Sequence, residues 1–372
     1  MTEVERIKDP FLISFPKLGW EFHIDPTAFT VFGIEIQWYG ILITIGLLLA
    51  IFYCFPRMKR FGIDADRAVD AVIGGIIGGI IGARAYYVIL RWDEYAGDWK
   101  SIFNLRGGGL AIYGGIIGAV IVGIIVSKFR KVKILPMLDI SVIGFLIGQG
   151  IGRWGNFVNQ EAFGSNTDSL LGMTGGTIQQ TIINESAFMD GYMYQSGLTI
   201  SENYPVHPCF LYESLWCLLG FVLLAIYSKH RKYDGQMLLM YLSWYGAERF
   251  VVEGLRTDSL MIGSLRASQA LSALIVAASL ILQVIMYFKV KRDPERFVLY
   301  CNTEDSKKLL SEAEKHFKQK YDDEIDDEVF RAQWKAKNEK SHKKDIAAKD
   351  KNSPAADVEN IDKEKNENGK DN

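Results

Sequence analysis

Cysteine is scarce in this 372-residue chain: Cys54, Cys209, Cys217 and Cys301 stand far apart, without a CxxC or Cys/His spacing. That excludes the usual zinc modules and supplies no disulfide framework, so free thiols are expected. The N-terminus also lacks a basic region running directly into an apolar stretch and a small-residue cleavage site, so residues 1–32 are not expected to be a secretory signal. They read as an ordered segment outside the membrane, with Phe11, Phe15, Trp20 and Phe22 at the lipid–water interface. The third scarcity is charge. The formal net charge of -2 and 49% hydrophobic content average two unlike parts, an almost charge-free series of apolar runs up to about Lys289 and a tail of Lys, Glu, Asp and Asn after Val290.

The apolar runs decide the class. A helix needs about 20 apolar residues to cross the hydrocarbon, and lipid offers the backbone no hydrogen-bond partner, so such runs must be helical. They fall near residues 38–56, 69–90, 111–127, 134–152, 209–228, 236–252 and 268–288. The expected fold is all-α, a polytopic membrane protein of about seven transmembrane helices. Seven buried helices of a soluble protein would not be so long or so free of charge.

Loops rich in Lys and Arg stay in the cytoplasm. Arg57, Lys59, Arg60 and Arg67 follow the first run, Lys128, Arg130, Lys131 and Lys133 the third, and Lys229, Arg231 and Lys232 the fifth, whereas residues 153–208 hold Arg153 as their one basic residue of this kind. The N-terminus is therefore expected outside and the C-terminus inside. Three regions follow: residues 1–37 outside the membrane, a core over 38–290 with the long outer segment 153–208, and a cytoplasmic tail over 291–372. The last forty residues of the tail are too polar to fold alone. Leu309, Leu310, Ala313 and Phe317 give residues 304–335 some helical spacing.

Small residues recur four apart: Gly74, Gly78 and Gly82 in the second run, Gly114 and Gly118 in the third, Gly144, Gly148 and Gly152 in the fourth. Such lines let helix backbones approach closely. They leave open whether the room gained also serves a lipid chain.

Ionisable groups inside membrane helices are costly and so mark candidate sites. Arg153 ends the fourth run, and Asn156 shares its face if the helix continues; Asn159 and Glu161 lie just beyond. Tyr245, Arg249, Glu253 and Arg256 are spaced four, four and three, one stripe of a helix, with Asp258 next to it. Arg84, with Tyr86 and Tyr87, lies toward the same outer side. A guanidinium presents a planar fork of donors suited to phosphate or carboxylate. Three arginine clusters at one leaflet, without a matching number of acids, point to a bound anion, and the abundant membrane anion is a phospholipid headgroup. Snorkelling arginines or a purely structural ion-pair network are the blander readings.

The run Gly152-Arg153-Trp154-Gly155-Asn156-Phe157-Val158-Asn159-Gln160-Glu161-Ala162-Phe163-Gly164 resembles the GRxGNFxNxExxG signature of prolipoprotein diacylglyceryl transferases at every specified position. Trp38-Tyr39-Gly40, Gly109–Gly115, His207-Pro208 with Leu211-Tyr212-Glu213, and Tyr245 to Arg256 resemble further segments of that family, over about residues 10–290. The resemblance implies transfer of the diacylglyceryl group of phosphatidylglycerol to the lipobox cysteine of a prolipoprotein signal peptide, at the bacterial plasma membrane, without metal or cofactor. It assigns Arg153 and Arg249 to a phosphate clamp, Asn156, Asn159, Tyr39 and Tyr245 to lipid binding, and Glu253 to holding the arginines or accepting a proton; Arg84 joins the lipid-binding residues on its charge and position alone. Tyr113 stands where several relatives carry histidine and is one candidate base; His207 is another, and an arginine field that forms the thiolate without a single base is a third reading. Gly164 is expected to serve a turn. A lipid flippase or transporter is the rival reading. It would call for internal repeats or helices broken near mid-membrane.

Overall fold

Seven long helices coincide with the seven apolar runs in the structure, a computed structural model that describes residues 3–104, 108–187, 200–257, 261–262, 265–319 and 328. They are α1 (Trp38–Cys54), α2 (Ala65–Leu90), α3 (Ile112–Phe129), α4 (Ile134–Asn159), α5 (Cys209–Tyr227), α6 (Gln236–Leu255) and α7 (Ala267–Arg292). Five of them are long and apolar enough to cross a membrane. The exceptions are α3, which is shorter, and α6, which carries Glu248, Arg249 and Glu253. Only 6% of the apolar window of α7 and 11% of that of α1 is buried within the protein. Apolar helix faces left so bare are suited to lipid.

Helix α4 is the hub: it packs against α1, α5 and α6, and α6 in turn packs on α5 and α7. The expected end at Gly152 is corrected. The helix runs two further turns to Asn159 and closes where Gln160 turns left-handed, at φ 52°. The polar motif therefore lies inside the helix rather than after it.

Helices α2 and α3 pair chiefly with each other. Their glycine lines bring the backbones together: a Cβ at Gly118 would run into the Gly78 carbonyl oxygen, and one at Gly82 would meet the Gly114 carbonyl oxygen. The same device joins α1 to α4, where a Cβ on Gly46 would lie 3.1 Å from the Gly148 Cα.

Two hairpins precede α1. Strands β1 (Leu12–Phe15) and β2 (Trp20–His23) pair antiparallel with Ile13 opposite Phe22, and β5 (Thr174–Gly175) adds to the other edge of β1. Strands β3 (Thr27–Val31) and β4 (Ile34–Gln37) lead into α1. Ile13 and Phe15 join Phe157, Phe163, Met173, Ile178, Val206 and Phe210 in a compact core at the end of α4. This corrects the expectation for Phe15, which is 6% exposed inside that core, although Trp20 and Phe22 on β2 remain exposed. The alternation of β1 faces its apolar side toward the end of α4 rather than toward lipid.

At the opposite end of α4 the start of the tail is folded. Tyr300 N–H donates to Asp234 Oδ2 at 2.9 Å, and the buried Ser306 Oγ donates to the Gly62 carbonyl at 3.0 Å. Gly62 has φ 77°, and a Cβ there would strike Ser306 and Cys301. Residues up to Leu310 thus belong to the compact unit with the helices; in the following unit, Ser311–Asn372, residues 311–319 are helical. The helical spacing read from the sequence extends that far, and its remainder to 335 lies, apart from Glu328, outside the described residues.

Gly118→Ala should cost about 1–3 kcal/mol, the range for overpacking a filled site, because backbone must move. Thermal unfolding in detergent measures it as a lowered midpoint.

Candidate active site

Arg153 sits near the end of α4, Glu213 one turn into α5 and Arg249 three turns along α6. The packing of these helices brings the three together. Arg153 Nη2 pairs with Glu213 Oε2, and Arg249 Nη1 reaches the same oxygen at 3.2 Å. Arg249 Nη2 pairs with Glu253 Oε2 at 2.5 Å, one turn on. Glu213 is 1% exposed, whereas the arginine side chains keep 20% and 17% of their surface open. The Glu213 carboxylate is thus sealed in, while the two arginine side chains stay partly open.

The amides continue the network. Arg153 Nη1 donates to Asn156 Oδ1 at 3.3 Å, Asn156 Nδ2 to Glu161 Oε1 at 2.8 Å, and Asn159 Nδ2 to the same Glu161 oxygen at 3.4 Å. Tyr245, a turn before Arg249, lies within electrostatic reach of both arginines and stacks on Tyr241 with ring centroids 5.7 Å apart. The Tyr39 ring fills the space that a Cβ on Gly155 would need, so the motif glycine seats the tyrosine of the Trp-Tyr-Gly segment. Beside Tyr39, an apolar groove of about 540 Å³ is lined by Trp38, Leu42, Trp154, Phe157 and Val158, with His23 and Asp25 at its polar end.

Several sequence expectations change. Arg84 does not join the cluster. Its guanidinium is spent on four backbone carbonyls, of Ile102, Gly108, Gly109 and Ser101, at 2.6–3.0 Å, and so shapes the loop before α3. Tyr113 lies in the first turn of α3, 61% exposed, on the helix that packs chiefly on α2. Arg256 leaves the helical stripe: α6 ends at Leu255, and Arg256 is extended in a bridge with Gly164. Asp258 lies outside the described residues. Gly164 is a crossing point rather than a turn. Its N–H donates to the His207 carbonyl at 2.9 Å, and a Cβ there would press on His207, Cys209 and the Leu255 carbonyl. His207 itself holds Tyr212, with Nδ1 3.2 Å from the hydroxyl.

Two acids were passed over in the sequence. Glu213 and Glu248 are 1% and 5% exposed on apolar helices, and with Glu253 they make three carboxylates for two guanidiniums. The expected excess of arginines over acids is therefore absent from this cluster. The rule that singled out Arg153, that charge in a membrane helix is costly, applied equally to Glu213 and Glu248.

The helices and this cluster define a multi-pass membrane protein with two arginines paired on one buried carboxylate. Residues 26–285 match the family model described as prolipoprotein diacylglyceryl transferase. Proteins named phosphatidylglycerol–prolipoprotein diacylglyceryl transferase are similar: one from Clostridioides difficile (strain 630) is 40% identical over 270 residues, 73% of this chain and 98% of the relative. One from Finegoldia magna is 44% identical over 262 residues, 70% and 95%. One from Bacillus cereus (strain Q1) is 41% identical over 268 residues, 72% and 94%. The chain belongs to the prolipoprotein diacylglyceryl transferase family.

Two outcomes follow. Glu213→Gln keeps the shape but leaves the guanidiniums short of an anion, and should cost of the order of 3 kcal/mol, as broken buried pairs do; detergent unfolding reads it. Burial lowers the His207 pKa below its ordinary value. A lowered folded value means stability that is present above the unfolded value of about 6.5 and is lost as pH falls through the folded value. The unfolding midpoint should therefore drop on acidification below that point, and His207→Gln should shrink the drop.

Proposed function

We propose that this chain transfers the diacylglyceryl group of phosphatidylglycerol to the lipobox cysteine thiol of a prolipoprotein signal peptide, in the plasma membrane of a bacterium. A thioether forms and glycerol phosphate leaves. The observation that carries the reading is the convergence of Arg153 and Arg249 on one carboxylate oxygen, Glu213 Oε2, with both arginine side chains partly open. Two forks held at a common point by an anion are preorganised for another anion. The headgroup phosphate docks on their open edges. As the glyceryl C–O bond breaks, negative charge grows on the leaving phosphate, and fixed donors stabilise that charge without reorganising.

Glu253 and Glu213 set the guanidinium planes. Asn156 and Asn159 orient headgroup oxygens, with the hydroxyls of Tyr39 and Tyr245 beside them. The groove along Trp38, Leu42, Trp154 and Phe157 takes apolar chain. Arg84 acts at one remove, by shaping the loop before α3. All seven helices cross the membrane in this reading, with the N-terminal hairpins outside and the basic loops inside. The transporter reading has less support, because the helices run without a mid-span break and the relatives' names describe transfer.

The test mixes purified protein, phosphatidylglycerol and a lipobox peptide and weighs the peptide by mass spectrometry. A diacylglyceryl mass increment is expected; its absence with active controls would refute the reading. Arg153→Lys should lose most activity, since lysine keeps the charge and loses the fork. Tyr113→Phe should retain activity, because the tyrosine stands apart from the arginine cluster.

A further inference from the structure

Sulfur displacement needs something to receive the thiol proton, since a cysteine with pKa about 8.5 is mostly neutral at pH 7. A proton acceptor must have a free lone pair. Among the acids of the cluster, Glu213 receives both arginines on Oε2 and keeps Oε1 buried without a partner, Glu253 receives Arg249, and Glu161 receives Asn156 and Asn159. Glu248 differs: both its carboxylate oxygens are buried and neither has a hydrogen-bond partner. The residue is 5% exposed, next to Arg249 in the chain. Burying a carboxylate without partners is expensive, so the position is poorly explained by packing alone.

Its charged and titratable neighbours come from all three helices of the site. They are Arg153 on α4, Glu213 and Cys217 on α5, and Tyr241, Tyr245, Arg249 and Arg256 on or just beyond α6. The face of α6 toward α7, at Gly246, meets only Val276, Ser272 and Ile275. Glu248 therefore lies on the side of α6 turned toward α4 and α5, among the charges of the arginine pair. The rival bases are placed otherwise, Tyr113 exposed on the α2–α3 pair and His207 against Tyr212.

Resting on the transferase reading, we propose that Glu248 is the proton acceptor for the attacking cysteine. The carboxylate takes the proton from the S–H bond, and the sulfur electron pair forms the C–S bond to the glyceryl carbon. The C–O bond to phosphate breaks with its pair on the phosphate oxygen. The proton then passes from Glu248 to the departing glycerol phosphate or to water, which restores the carboxylate. Arg153 and Arg249 hold the phosphate while Glu248, one residue from Arg249, serves the thiol.

The test compares a lipobox peptide with its selenocysteine counterpart, whose selenol is already ionised at neutral pH and needs no base. The full chain in phosphatidylglycerol-containing micelles is assayed by mass. Glu248→Gln should lower kcat on the cysteine peptide by about 100-fold or more, the usual contribution of a positioned base. Its KM for phosphatidylglycerol should hold, and the selenocysteine peptide should restore kcat to near that of the unaltered chain. Glu248→Asp should keep part of the cysteine activity. Equal loss on both peptides, full activity of Glu248→Gln on cysteine, or equal behaviour of the Gln and Asp variants would each overturn the assignment. No transfer by the unaltered chain to either peptide would instead sink the reaction itself, and this role with it.

Discussion

The carboxylate oxygen that Arg153 and Arg249 share sets the terms for everything around it. Placing ions in a protein interior costs several kcal/mol each, and pairing offsets this only when the geometry is held closely. Glu213 comes from α5, Arg153 from α4 and Arg249 from α6, so three helices must keep fixed heights and rotations. The contacts nearby do that. Ser214, next to Glu213, donates to the Gly150 carbonyl at 2.7 Å and receives Trp154 Nε1 at 3.2 Å, which pins α5 to α4. Trp216 and Trp244 stack at 4.3 Å and each donates its indole N–H to the other's carbonyl at 3.0 Å, which pins α5 to α6. A larger residue at Gly150 would crowd Leu218 and the Ser214 carbonyl, so the close approach of α4 and α5 depends on it.

The glycine-rich signature serves two ends of the molecule at once. Arg153 and Asn156 face the site. Gly155 makes room for Tyr39, and Phe157 packs on Phe15, Trp154 and Phe210 in the core at the end of α4. Gln160 turns the chain and ties it to the N-terminal hairpin, its Nε2 donating to the Pro10 carbonyl at 2.6 Å. Gly164 then lets this segment cross both the chain at His207 and the end of α6. The hairpins before α1 are thus braced against the helix that carries the arginine. Rigid support of this kind keeps hydrogen-bond donors aimed before a ligand arrives.

The far end of α4 shows a parallel economy. Residues after α7 lie beyond the family match, which ends at 285, yet they close over the connections of the bundle through Tyr300 and Ser306. Arg231 adds to this, donating to the Arg60 carbonyl at 2.6 Å and lying over the Phe61 ring. Arg231, one of the basic residues that the sequence marks as a topogenic charge, is therefore also a hydrogen-bond donor that fastens one loop to another.

The sequence by itself determined the seven helices, since an apolar run in lipid has no other way to satisfy its backbone. It also marked Arg153, Asn156, Arg249 and Glu253, because charge at such depth needs a reason. Local pattern could not decide which arginines meet. Arg84 looked equivalent to Arg153 until its donors were found on the carbonyls of its own loop, and Arg256 left the stripe because α6 stops one residue earlier. Glu213 stood in plain view within a recognised segment, but its role needed α4 and α6 to bring guanidiniums to it from 60 residues before and 36 after. Pairing between distant segments is a matter of helix height and rotation, which depend on how glycine and tryptophan contacts pack in three dimensions, and no single run of residues contains that information.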